Sequence, residues 1–180
     1  MKIMESMNID ELYLESEADI KNNLYAEAFR KCESILYEDP KHAPAHNSLG
    51  WLLKTQFDNY DRAENHFITA MKCDPLYPHP YFHYATFLND LERYDDLNRH
   101  LEKCLTIVTL EKSWIFAKKA IMEELKFNFQ EAISNYEKAI LCCLNDDKIK
   151  SYQEDIERCL LKMNIAEKKE LINKTPGLTS

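Results

Sequence analysis

The chain has 180 residues, 45% of them apolar and 30% charged, a globular composition that excludes a disordered chain. Its 23 Lys and Arg stand against 31 Asp and Glu, a net charge of −8, and without a basic stripe to meet a phosphate backbone no nucleic-acid ligand is expected. Two glycines, Gly50 and Gly177, are too few for a fold of tight turns or phosphate-cradling loops, because φ > 0 is costly for other residues. Long helices joined by short polar turns are expected instead.

The opening stretch MKIMESMNIDELYLESEADI is broken by Glu5, Asp10 and Glu11 and lacks the roughly 7–15-residue apolar core of a secretory signal. No run approaches the ~20 apolar residues of a membrane span. The acidic excess is local: residues 1–40 carry four basic and ten acidic side chains, whereas residues 146–180 carry seven of each. Six cysteines show no C-x-x-C pairing, and several fall on apolar helical positions where free Cys acts as a small hydrophobe. A cytoplasmic location is expected.

Along the chain one pattern recurs at steps of 34 or 35 residues. Its anchors are Ala28, Ala63, Leu97 and Ala132, each preceded three residues earlier by an aromatic: Tyr25, Tyr60, Tyr94 and Phe129. Four residues on come Cys32, Phe67, Leu101 and Tyr136; seven on come Ile35, Ala70, Cys104 and Ala139, each followed by a large apolar residue. Twelve on stand Pro40, Pro75, Thr109 and Leu144. Anchor, +4, +7 and +8 share one helical face, and the two prolines mark helix ends. A further apolar helix precedes each anchor helix, with Leu49, Gly50 and Leu53 in the second copy and Tyr81, Tyr84, Ala85 and Leu88 in the third. Gly50 and Ala85 are small where two helices cross closely. After Asp147, Ile149, Tyr152, Ile156, Leu160 and Met163 form one apolar stripe, the pattern of a helix that caps the last open face of a stack.

The stretches SLGWLL and NYDRAENHFITAMKCDP, YFHYATFL and RYDDLNRHLEKCL, and FNFQEAISNYEKAIL resemble the tetratricopeptide repeat (TPR) family, whose ~34-residue unit is a pair of antiparallel helices. The resemblance covers residues 9–145. It implies an all-α, right-handed α-solenoid of about four TPR-like helix pairs plus a C-terminal capping helix. One domain over 1–172 is expected, with repeats about 9–42, 43–77, 78–110 and 111–145. The capping helix covers 147–163, with an extension to 172, and a flexible tail follows over 173–180. Glu15 and Ser16 stand where the family has Leu and Gly, so an irregular first helix is expected; Lys119 and Glu123 fall where apolar residues belong, leaving the register of the fourth copy open.

Nothing in the sequence carries catalytic chemistry. His79 and His83 share the i, i+4 spacing of a metal pair, as do His42 and His46, but no carboxylate or Cys joins either pair in a motif. Cys142 and Cys143 point in different directions on a helix, and nothing nearby lowers a thiol pKa. No enzyme, no cofactor and no metal are expected.

The resemblance implies that the first helix of each pair lines a concave groove. Its face would present Asn47, Trp51 and Lys54 in the second copy, His79, Phe82, Thr86 and Asn89 in the third, and Trp114 and Lys118 in the fourth. Trp51 and Phe82 stand outside the repeat's packing slots, which makes them candidate anchors for a peptide; packing against neighbouring helices is the alternative role. Where some family members grip a carboxylate with Lys, Asn and Arg, this chain holds Tyr13, Glu17, Ser48, His79 and His83, and Glu17 would repel a carboxylate. The expectation is a non-enzymatic scaffold or adaptor that binds a peptide segment of a partner protein, as a monomer or a weak dimer. A dedicated secretion-type chaperone and a structural self-assembling subunit are the alternatives.

Overall fold

The computed structural model describes the backbone of residues 8–174 and side chains as far as Lys169; the part of the expected tail beyond residue 174 lies outside the described residues. Among the described residues there are nine α-helices and no strand. They are α1 (Ile9–Lys21), α2 (Tyr25–Glu38), α3 (Ala43–Thr55), α4 (Tyr60–Cys73) and α5 (His79–Asp90), followed by α6 (Tyr94–Leu105), α7 (Lys112–Leu125), α8 (Phe129–Leu141) and α9 (Asp146–Lys174). The chain divides into two compact units, Met1–Glu92 and Arg93–Ser180, and the division falls between α5 and α6.

In the first unit α3 touches both α1 and α5, making one layer; α2 and α4 make the other. Helix starts follow local chemistry. Asn8 Oδ1 accepts from the Asp10 amide and Asn59 Oδ1 from the Arg62 amide, which satisfies donors that the first turn leaves open. His42 does the same for α3 with Nδ1, accepting from the Ala45 amide at 3.1 Å. The anchors Ala28 and Ala63 are fully buried. At Gly50 an added Cβ would stand 2.7 Å from the Phe67 ring, so the missing side chain is what lets α3 and α4 approach. Phe67 is in turn enclosed by His83, Tyr84 and Phe87 of α5.

The first helix is regular, contrary to the irregularity expected from Glu15 and Ser16. Ser16 is fully buried, its hydroxyl donates to the Tyr13 carbonyl and accepts from the Cys32 thiol, and so a small polar residue fills the crossing without an unmet donor. Glu15 points outward and pairs with Lys31.

In the second unit α7 packs on α6 and α8, and α9 packs on α8. Ala120 takes the small slot held by Gly50 and Ala85 and is fully buried. Lys119 pairs with Glu102 of α6, and Glu123 accepts from Asn128 and Lys126, so both polar residues at expected apolar places find partners. On α9 the residue buried after Ile156 is Cys159, against Ala120, Ala132 and Tyr136. Leu160, part of the expected stripe, is 41% exposed. The thinner Cys lets α9 lie closer to its neighbours than Leu would.

Four turns share one device. Asn23, Asp58, Glu92 and Phe127 have φ of 61, 49, 54 and 63°, each two residues ahead of the aromatic that opens the next helix. Asn and Asp adopt this left-handed conformation at little cost; Glu and Phe do so under strain. The paucity of glycine therefore excludes less than composition implied.

Candidate functional site

The first unit contains a cleft of about 260 Å³ between its first-of-pair helices. Helix α1 contributes Tyr13, Glu17 and Ile20; α3 contributes Asn47, Ser48 and Trp51; α5 contributes His79 and His83. Tyr77, from the Asp74–Pro78 linker ahead of α5, closes one side.

The polar groups are tied together. Ser48 Oγ donates to Glu17 Oε1 at 2.8 Å and lies 3.5 Å from the Tyr13 hydroxyl. His83 Nδ1 and Asn47 Oδ1 are 2.8 Å apart; an amide oxygen only accepts, so Nδ1 carries the proton and Nε2 is left as an acceptor. Burial, with His79 and Lys54 nearby, holds His83 down to about 4, and the ring is neutral at physiological pH. Burial likewise raises the Tyr13 and Tyr77 phenols, each beside the other and beside Glu17, so both keep their O–H.

The nine expected groove residues part company. Asn47, Trp51 and His79 line the cleft. Asn47 is buried at 5% exposure, and its Oδ1 is committed to orienting His83. Trp51 is half-buried, with its ring 6.2 Å from Tyr25, so one part packs and another faces the cleft. Lys54 pairs with Asp90. Phe82, Thr86 and Asn89 lie on α5 outside the cleft lining; Thr86 Oγ1 donates to the Phe82 carbonyl, and Asn89 Oδ1 is buried without a hydrogen-bond partner among the described residues. Trp114 and Lys118 stand half-buried on α7 of the second unit.

Tyr77 was not foreseen: it sits in a linker, where no helical period marks it. A second unforeseen pair lies at the α3–α4 crossing, where His46 Nδ1 and His66 Nδ1 are 2.9 Å apart. His46 Nε2 donates to the Pro40 carbonyl at 3.1 Å, so its Nδ1 accepts and His66 supplies the proton. Among the described residues no group of three or more His, Cys, Asp or Glu is placed to hold a metal, and no helix is long and apolar enough to cross a membrane. All six cysteines are free; burial pushes the thiols of Cys32 and Cys159 up to about 11 and that of Cys104 up to about 12, far from a nucleophile's range.

No family model matches the sequence, and no curated protein matches it. Solved structures do. PilF of Pseudomonas aeruginosa matches over 95% of this chain and 78% of its own, at 18% identity and a TM-score of 0.73. TTC0263, a thermophilic TPR protein of Thermus thermophilus, matches over 86% and 82%, at 15% identity and 0.67. The human IFIT1 dimer with PPP-AAAA matches over 89% of this chain and 40% of its own, at 15% identity and 0.76. With these likenesses, the buried small residues at Gly50, Ala85 and Ala120 and the paired helices, the chain has the TPR-type helical-repeat fold.

Proposed function

We propose that the protein is a non-enzymatic interaction scaffold that holds a peptide segment of a partner protein in the cleft of its first unit. One observation carries this reading: three helices, α1, α3 and α5, converge on a cleft that joins the Trp51 indole to a cluster of tied polar groups. An aromatic anchor beside fixed donors and acceptors is the make-up of a peptide-binding surface. At about 260 Å³ the cleft is small beside the roughly 300–1,000 Å³ of sites that enclose a whole small molecule, and it suits one side chain of a longer ligand.

The PPP-AAAA ligand named with IFIT1 is not carried over. Glu17 in the cleft would oppose phosphate, and among the described residues no Lys or Arg lines it. A peptide selected from a random library against the full chain should slow amide exchange in α1, α3 and α5 on binding. Slowing confined to α7–α9 would move the working surface to the second unit.

A further inference from the structure

We infer that the cleft of the first unit takes the guanidinium of an arginine side chain from the bound peptide; the inference rests on the peptide-binding reading above. Its starting point is a carboxylate without a cation. On α1, Glu15 and Asp19 both pair with Lys31. Glu17, between them in sequence but on the cleft side, pairs with no Lys or Arg among the described residues and accepts from the Ser48 hydroxyl. The nearest cation along α3, Lys54, is neutralised by Asp90.

The remaining polar lining is rich in acceptors. His83 keeps Nε2 unprotonated because Nδ1 is committed to Asn47, and the hydroxyls of Tyr13, Tyr77 and Ser48 each accept as well as donate. A guanidinium offers five N–H donors and no acceptor, so it complements such a wall, whereas a carboxylate would meet Glu17. The aromatic members serve the same ligand. The rings of Trp51, Tyr13 and Tyr77 line the same cleft, and an aromatic ring is a surface on which a planar cation stacks. An apolar side chain placed there would strip water from Glu17 and give nothing back.

The test uses peptides selected on the full chain from a random library, measured by titration calorimetry. The selected peptides should share an arginine at one position. Replacing it by citrulline, which keeps the shape and loses the charge, should weaken binding by at least about tenfold. That loss should shrink to within about twofold on a Glu17→Gln variant of unchanged circular dichroism, since the charge partner is gone. Selected peptides that depend on Trp51 but share no arginine, or that bind equally with citrulline, would overturn the arginine assignment and leave the groove reading standing. Peptides that bind equally to wild type and Trp51→Ala would overturn both. The citrulline arm leaves the protein untouched, so it decides the matter even if Glu17→Gln fails to fold.

Discussion

The ring of Phe67 occupies the space where a side chain at residue 50 would begin: a Cβ on Gly50 would lie 2.7 Å from two of its carbons. Helix propensity alone would make Gly50→Ala favourable by roughly 1 kcal/mol. Overpacking opposes it with roughly 1–3 kcal/mol, and Phe67 is fully buried among α5 rings, with nowhere to move. We expect Gly50→Ala to destabilise the chain by about 1 kcal/mol in urea unfolding. On a Phe67→Leu background the penalty should shrink or change sign, because the ring that blocks it is gone.

In the second unit Glu124 of α7 is buried, with 7% of its side chain exposed, and accepts from Arg158 and Lys162 of α9 at 2.7–2.8 Å. The Arg158 guanidinium, and then Lys162, hold its carboxyl down to about 2 from 4.5, against the opposing effect of burial. A depressed carboxylate contributes stability that is present above pH 4.5 and lost as pH falls through about 2. Glu124→Gln should cost about 1–3 kcal/mol at neutral pH, below the loss for a fully buried pair because Arg158 and Lys162 stay half in water. The variant should also lack Glu124's share of the acid-side fall, so that its stability drops less than the wild type's between about pH 5 and about pH 3 in urea unfolding.

The His46–His66 contact works in a different window. Burial, the His46 ring and Arg62 push His66 down to about 4 from 6.5, and burial lowers His46 as well. The folded state holds these rings neutral, so stability is present above pH 6.5 and lost as pH falls toward 4. His83 falls in the same range. We expect the chain to lose about 1–2 kcal/mol from His66 between about pH 7.5 and about pH 5. His66→Asn should remove that share and leave the share due to His83, measured by denaturation at both pH values.

Glu92 holds φ of 54° with an exposed side chain. The left-handed conformation costs a β-carbon residue roughly 1–2 kcal/mol, of which glycine returns part to unfolded-state freedom. Glu92→Gly should therefore raise stability by about 0.5–1 kcal/mol. Asn23→Gly, at the same place in an earlier turn, should change little, because Asn tolerates this region. Unfolding midpoints of the two variants give the comparison.

Much of the fold was legible because it is written in small residues at a fixed step. Gly50 is required by a close crossing, Ala63, Ala85 and Ala132 are fully buried at the same kind of slot, and small size at a fixed step reveals all four. Polarity hid other parts. Ser16 read as a defect because its hydroxyl's partners, the Tyr13 carbonyl and Cys32 thiol, depend on tertiary placement. Leu160 outscores Cys159 in hydrophobicity, but the crossing against Ala120 and Ala132 selects for thinness. In the cleft, Trp51 and His79 lie on the helix face that the family resemblance marks as the groove side. Asn47 did not reveal that it is buried, and Tyr77 enters from a linker with no period to mark it.

The central claim is that the cleft beside Trp51 holds the partner. Its most direct measurement is the affinity of one library-selected peptide for the full wild-type chain and for Trp51→Ala, with circular dichroism showing equal helicity. The account predicts at least about a tenfold loss in the variant. Equal affinity, with both proteins folded, would contradict it.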